Sequence, residues 1–115
     1  MLTTKQVDAL YHDGVEIKFN LKPPKTSPSE KGSYDPGTLE VSVYRLNIDS
    51  ILDRDLTILH EFVHARDDRK GSRYLFGNYG KKGSDEEERV ESEARETYKR
   101  RPRILEYIKL LYNIY

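Results

Sequence analysis

The stretch DRDLTILHEFVHARDD, Asp53 to Asp68, decides how the chain is read. Acidic residues open it, Arg66 and Arg69 sit near its end, and Gly71 follows, so it reads as a helix from Asp53 or Asp55 to about Asp68. Leu56, Ile58, Leu59, Phe62, Val63 and Ala65 make it a core helix. His60, Glu61 and His64 lie in the middle of it. Imidazole and carboxylate groups in such a place are costly unless something engages them. Arg66 reads as an early exposed end of the helix.

Residues four apart on a helix share one face and stand one turn above each other. His60 and His64 can therefore meet one metal ion, while Glu61, about 100° further round, falls beside it. Two ligands and one base from five consecutive residues are what metal-assisted hydrolysis requires, with Glu61 taking the proton of the water that the metal activates. Zn²⁺ is the expected ion, since imidazole and carboxylate ligands suit it. A catalytic site keeps three protein ligands and an open position. Of the three histidines only His12 is left, and it lies before the first strand, so the third ligand is expected to be acidic. The acidic run from Asp85 supplies it: Glu87, Glu91 and Glu93 all flank the inward stripe Val90, Ala94, Thr97 and Tyr98, and periodicity does not choose among them. Glu86 and Glu88 read as solvated. Tyr74, Tyr79 and Tyr98 are candidates for stabilising an oxyanion.

On the N-terminal side of this helix, Thr3-x-x-Gln6 resembles a capping box ahead of a helix that Asp13-Gly14 ends. Val15, Ile17, Phe19 and Leu21 alternate as a strand with one buried face. Lys22 to Gly37 holds Pro23, Pro24, Pro28 and Pro36 and reads as a loop. Leu39, Val41 and Val43 alternate again as a second strand, to about Leu46. On the C-terminal side, Arg69 to Gly83 is a glycine-rich connector. Ser84 opens a helix to about Arg101, and Pro102 starts a last helix reaching toward Tyr115, apolar nearly all round and so buried on several sides. The order α-β-β-α-α-α gives an α+β fold: a small sheet packed on an active-site helix, a glutamate-bearing helix and a C-terminal helix.

With 115 residues the chain is expected to be one domain, residues 1–115. Its 20 basic and 20 acidic residues cancel, which speaks against nucleic acid or an anionic membrane as partner. The cluster Lys99-Arg100-Arg101-Pro102-Arg103 reads as a solvated helix end. Lacking an apolar leader and any 18-residue apolar run, the chain is expected to be soluble and cytoplasmic.

His60-Glu61-Phe62-Val63-His64 together with Glu91-Ser92-Glu93-Ala94-Arg95 resembles the gluzincin metallopeptidases, which pair HExxH with a glutamate on a following helix, commonly in the pattern Glu-x-x-Ala-Asp. Counting back from Ala94, the resemblance implies Glu91 as third zinc ligand, with Arg95 where the pattern has Asp. ImmA/IrrE-like peptidases show a Glu-x-Glu-Ala run, which keeps Glu93 in view. Given its size, the chain is similar to the minigluzincins, soluble minimal counterparts of CAAX-processing and HtpX-like membrane peptidases, over about residues 38 to 98. That similarity implies a zinc endopeptidase acting on peptide or unfolded protein. It implies that Thr38, Leu39, Glu40, Val41, Ser42, Val43 and Tyr44 form the rim on which an extended substrate adds as a strand. It also implies latency, with the C-terminal segment occupying the cleft of its own chain or of a homodimer partner. Two other readings are a non-catalytic zinc-binding regulatory module and an ImmA/IrrE-like peptidase with one protein substrate.

Overall fold

The computed structural model describes residues 1–70 and 85–115. Those residues form helix α1 (Thr4–His12), strands β1 (Glu16–Asn20), β2 (Gly32–Asp35) and β3 (Glu40–Tyr44), and helices α2 (Ile51–Lys70), α3 (Asp85–Arg100) and α4 (Pro102–Tyr112), with a 3-10 turn at Arg45–Asn47. The fold is α+β, as expected. The connector Arg69 to Gly83 and Ser84 lie outside the described residues from position 71 onward.

Thr3 caps α1 reciprocally: its hydroxyl accepts from the Gln6 N–H, and the Gln6 side chain accepts from the Thr3 N–H. Helix α2 begins earlier than its apolar pattern predicts. The Ser50 hydroxyl accepts the Asp53 N–H at 3.0 Å, so capping sets the start. Ile51 and Leu52 in that first turn are exposed, which is why they break the periodicity.

The main correction concerns the stretch read as a loop, Lys22 to Gly37. Its last part is the strand β2, and the sheet has three strands in the order β1-β3-β2. β1 runs parallel to β3 and β2 antiparallel to it. A four-residue strand starting at glycine carries almost no alternating pattern, which hides it from periodicity. Asp35 turns the chain back to β3, its carboxylate accepting the Gly37 N–H and its carbonyl the Leu39 N–H.

Buried side chains from every helix and from the sheet form the core, among them Val7 and Leu10 of α1, Val41 and Val43 of β3, Ile58, Leu59, Phe62 and Val63 of α2, Val90 and Ala94 of α3, and Ile108 of α4. α2 packs against both the sheet, at β2 and β3, and α3. β1 buries less than its alternation predicts: beyond Val15 the apolar face opens, leaving Phe19 and Leu21 exposed. α4 is likewise amphipathic rather than apolar all round, with Ile104, Leu105 and Ile108 buried and Leu110 75% exposed.

Candidate metal centre

Helix α2 brings His60 and His64 one turn apart, their ring centroids 5.0 Å from each other. Helix α3 faces them with Glu87, Glu91 and Arg95, spaced four residues apart on one face. The Glu87 carboxylate spans both imidazoles: Oε1 lies 2.6 Å from His60 Nε2 and Oε2 lies 3.0 Å from His64 Nε2. Ligand atoms of His60, His64 and Glu87 all fall within 4.8 Å of one another, and this group can hold a metal ion. Glu91 sits on the other side of His60, with Oε1 2.8 Å from Nδ1, while its Oε2 accepts from Arg95 Nε at 2.8 Å.

Ionised carboxylates only accept, so His60 donates from both ring nitrogens in this arrangement. Burial alone would lower its pKa. Hydrogen bonding to Glu87 and Glu91 and the charge of Glu61 outweigh that and raise it to about 9. Burial would raise the Glu87 carboxyl, but the hydrogen bonds and charges of the two histidines hold it down at about 2.

Glu61 is 6% exposed and, among the described residues, has no hydrogen-bond partner. Burial pushes its carboxyl up to about 7. The charges of His60 and His64 oppose this, and those of Glu87 and Glu30 reinforce it. It lines a cleft of about 330 Å³ whose walls are one face of α2 (Asp53, Leu56, Thr57, His60), one face of α3 (Glu87, Glu91, Arg95) and the segment Ser29 to Gly32.

The close approach of that last segment has a definite cause. A Cβ built on Gly32 would stand 2.6 Å from Thr57 Cγ2, 2.8 Å from the Ser42 carbonyl oxygen and 3.4 Å from Glu61 Cγ. Only glycine lets the strand lie on the helix beside Glu61. Glu30, Lys31 and Gly32 went unread in the sequence because they belong to no motif and lie far along the chain from the histidines. Only the fold unites them.

The other sequence candidates fall as follows. Glu93 is committed elsewhere: it pairs with Arg66 through both carboxylate oxygens and with the Met1 amino group. Arg66 does not mark an exposed helix end. It is 8% exposed, held by Glu93 and by Asp67, itself buried. His12 is exposed at the end of α1, outside the cluster. Tyr98 is exposed and does not line the cleft; Tyr74 and Tyr79 lie outside the described residues. The rim expected at Thr38, Leu39, Glu40, Val41, Ser42, Val43 and Tyr44 is corrected. Glu40–Tyr44 is the central strand β3, paired along both edges, so its main chain cannot take up another strand. The C-terminal segment does not enter this cleft within its own chain. Asn113, Ile114 and Tyr115 line a separate one with Phe19, Val43 and Arg54, and the Tyr115 carbonyl accepts from Arg54 Nη1 at 2.8 Å.

No protein-family model, curated protein or solved structure matches the chain. Among the described residues no helix is long and apolar enough to cross a membrane.

Proposed function

We propose that the chain is a zinc-dependent endopeptidase of gluzincin type. The observation that carries this reading is Glu61. It is a buried carboxylate without a hydrogen-bond partner among the described residues, set between two histidines and facing the cleft where they converge with Glu87. A purely structural metal site closes four protein ligands around the ion and needs no base between them. Two imidazoles and one carboxylate beside an open cleft fit zinc in a catalytic setting.

His60, His64 and Glu87 would hold the ion. Zinc bound there supplies Lewis acidity, polarising a peptide carbonyl and making water acidic enough to be deprotonated near neutral pH. Glu61 accepts the proton from the attacking water and later delivers it to the departing amine; a carboxyl near 7 suits both transfers. Glu91 accepts the His60 Nδ1–H and fixes the ring with Nε2 turned to Glu87, leaving that nitrogen free to serve as a ligand once deprotonated, with Arg95 steadying Glu91 in turn. The gluzincin resemblance then reads better four residues earlier than Ala94 suggests. Glu87-Glu88-Arg89-Val90-Glu91 carries the ligand first and an acidic partner for the ligand histidine last. Glu87 replaces Glu91 as the proposed third ligand, and the support missing at Arg95 is found at Glu91.

An extended peptide is proposed to lie along the edge strand β2 and the segment leading into it, since these border the cleft. Latency is proposed to act between chains, through the exposed Leu110 and Tyr115.

The test is cleavage of a reduced, unfolded protein by the zinc-loaded chain and by Glu61→Gln. The variant is expected to bind zinc with wild-type stoichiometry and to lose at least about a hundredfold in turnover, the usual contribution of a positioned acid–base group. Equal turnover in the two would refute the assignment of Glu61.

A further inference from the structure

The cleft is far from neutral although the chain is. Among the described residues, five carboxylates, from Glu30, Asp53, Glu61, Glu87 and Glu91, face the cationic side chains of Lys31 and Arg95 and the doubly hydrogen-bonded His60. The cations are already used. Lys31 Nζ holds both carboxylate oxygens of Asp53, at 2.9 and 3.0 Å, and Arg95 holds Glu91. Glu87 belongs to the histidines. Two acids remain that hold no hydrogen-bonded or ion-paired partner among the described residues. Glu61, more than nine-tenths buried and aimed into the cleft, is one. Glu30 on the rim is the other. With His60 and His64 neutral as ligands, a divalent ion at the triad would still leave the described lining one negative charge in excess, so metal loading does not supply the missing partner.

Resting on the peptidase reading, we infer that the cleft takes peptides with a lysine or arginine beside the scissile bond, and that Glu30 is the residue that selects them. Glu30 suits this role by position. It precedes Lys31 and Gly32 at the start of the edge strand, so its carboxylate and the main chain that would carry the peptide come from the same three residues. Its backbone is held, the carbonyl accepting from Asn47 Nδ2 at 2.7 Å, so the side chain projects from a fixed point. A long cationic side chain of the substrate reaching Glu30 would satisfy the charge that the described residues leave unmatched. An acidic side chain there would be repelled by both remaining carboxylates.

The experiment uses the zinc-loaded full chain and quenched-fluorescent nine-residue peptides of serine, alanine and leucine. A single lysine, glutamine or glutamate is walked through the three positions on either side of the bond that is cut. At one of those positions kcat/KM for lysine is expected to exceed that for glutamine by roughly fivefold, as for a partly exposed ion pair, and to exceed glutamate by more. The lysine advantage should shrink in 0.5 M salt, by screening, at about the ratio seen for exposed charges at that ionic strength. In Glu30→Gln the lysine-to-glutamine ratio should fall toward one, and in Glu30→Lys it should invert. Both variants are first checked for folding by circular dichroism. If they fail that check, the salt dependence of the wild-type ratio decides alone.

Cleavage at equal rates for all three peptides would overturn the selectivity while leaving the peptidase intact. If no peptide is cut, fluorescence anisotropy with the zinc-loaded Glu61→Gln chain separates the two ideas. Tighter binding of the lysine peptide, lost in the Glu30→Gln background, would uphold a cation-selecting cleft and count against hydrolysis. Equal binding of all three would overturn the selectivity as well.

Discussion

A methyl group has no room at Gly32. The Thr57 side chain on one side can rotate away, but the Ser42 carbonyl on the other is main chain in the central strand and cannot. Gly32→Ala is therefore expected to lower stability by about 1–3 kcal/mol, the range for overpacking a filled site. Urea unfolding would measure it, and Thr57→Ala added to Gly32→Ala should recover only part of the loss. The two candidate roles on α3 can be separated at the same scale. Glu87→Ala removes a proposed ligand, whereas Glu91→Ala removes a carboxylate that orients one. Supporting partners of ligand histidines typically contribute about 10–100-fold in metal affinity. Glu91→Ala should fall within that range, and Glu87→Ala should lose more. Competition against a chromophoric chelator would order them; the reverse order would return the ligand role to Glu91.

The joint between α2 and α3 is held by charge as well as by Phe62, Val63, Val90 and Ala94. Burial would raise the Glu93 carboxyl, but Arg66 and the Met1 amino group lower it from the ordinary 4.5 to about 2. A carboxyl depressed on folding contributes stability that is present in full above 4.5 and disappears as pH falls through about 2. The difference in melting temperature between wild type and Glu93→Gln should be largest near neutral pH. It should narrow steadily from pH 4.5 downward and vanish near pH 2, as thermal unfolding followed by circular dichroism would show. A difference that stayed constant with pH would mean that the Arg66 pair contributes nothing as an ion pair.

Elements differ in how plainly the sequence announces them, and this joint shows why. The capping box of α1, the spacing of His60 and His64 and the proline that opens α4 are local signals, carried by residues within one or two turns of each other. The choice among Glu87, Glu91 and Glu93 is not local. It depends on the rotation of α3 about its axis, and Arg66 helps to set that rotation by engaging Glu93. Arg66 looked like a surface residue because a buried guanidinium is recognisable only when its partners are known. β2 escaped notice for a related reason. Its identity comes from pairing with β3 and from the contact of Gly32 with Thr57, both outside its own four residues. The substrate rim, placed on β3 because the minigluzincin resemblance puts it on the strand ahead of the active-site helix, falls with β2 present, since β2 takes the edge of β3 that faces it.

At the scale of the whole molecule, metal binding at the proposed site would be coupled to folding. The proposed ligands come from two helices separated by the chain between residues 71 and 84, and no single segment could present all three. An unfolded chain offers His60 and His64 but not Glu87 in the same place, so zinc at the proposed site would prefer the native state and stabilise it by mass action. At a free concentration a hundred times the dissociation constant that amounts to about 2.7 kcal/mol. For a domain of this size each kcal/mol moves the melting temperature by roughly 4 °C, so zinc should raise it by about 10 °C. The opposing term is the metal-free arrangement itself. There Glu87 already bridges both histidines, so the two helices stay joined without the ion, and removing zinc should lower the melting temperature without abolishing cooperative unfolding. Thermal unfolding with excess zinc and after treatment with a chelator tests both statements. In Glu87→Ala the two curves should nearly coincide, because the variant lacks the bridge and the third ligand together. A full zinc shift in that variant would mean that the ion is held by other residues.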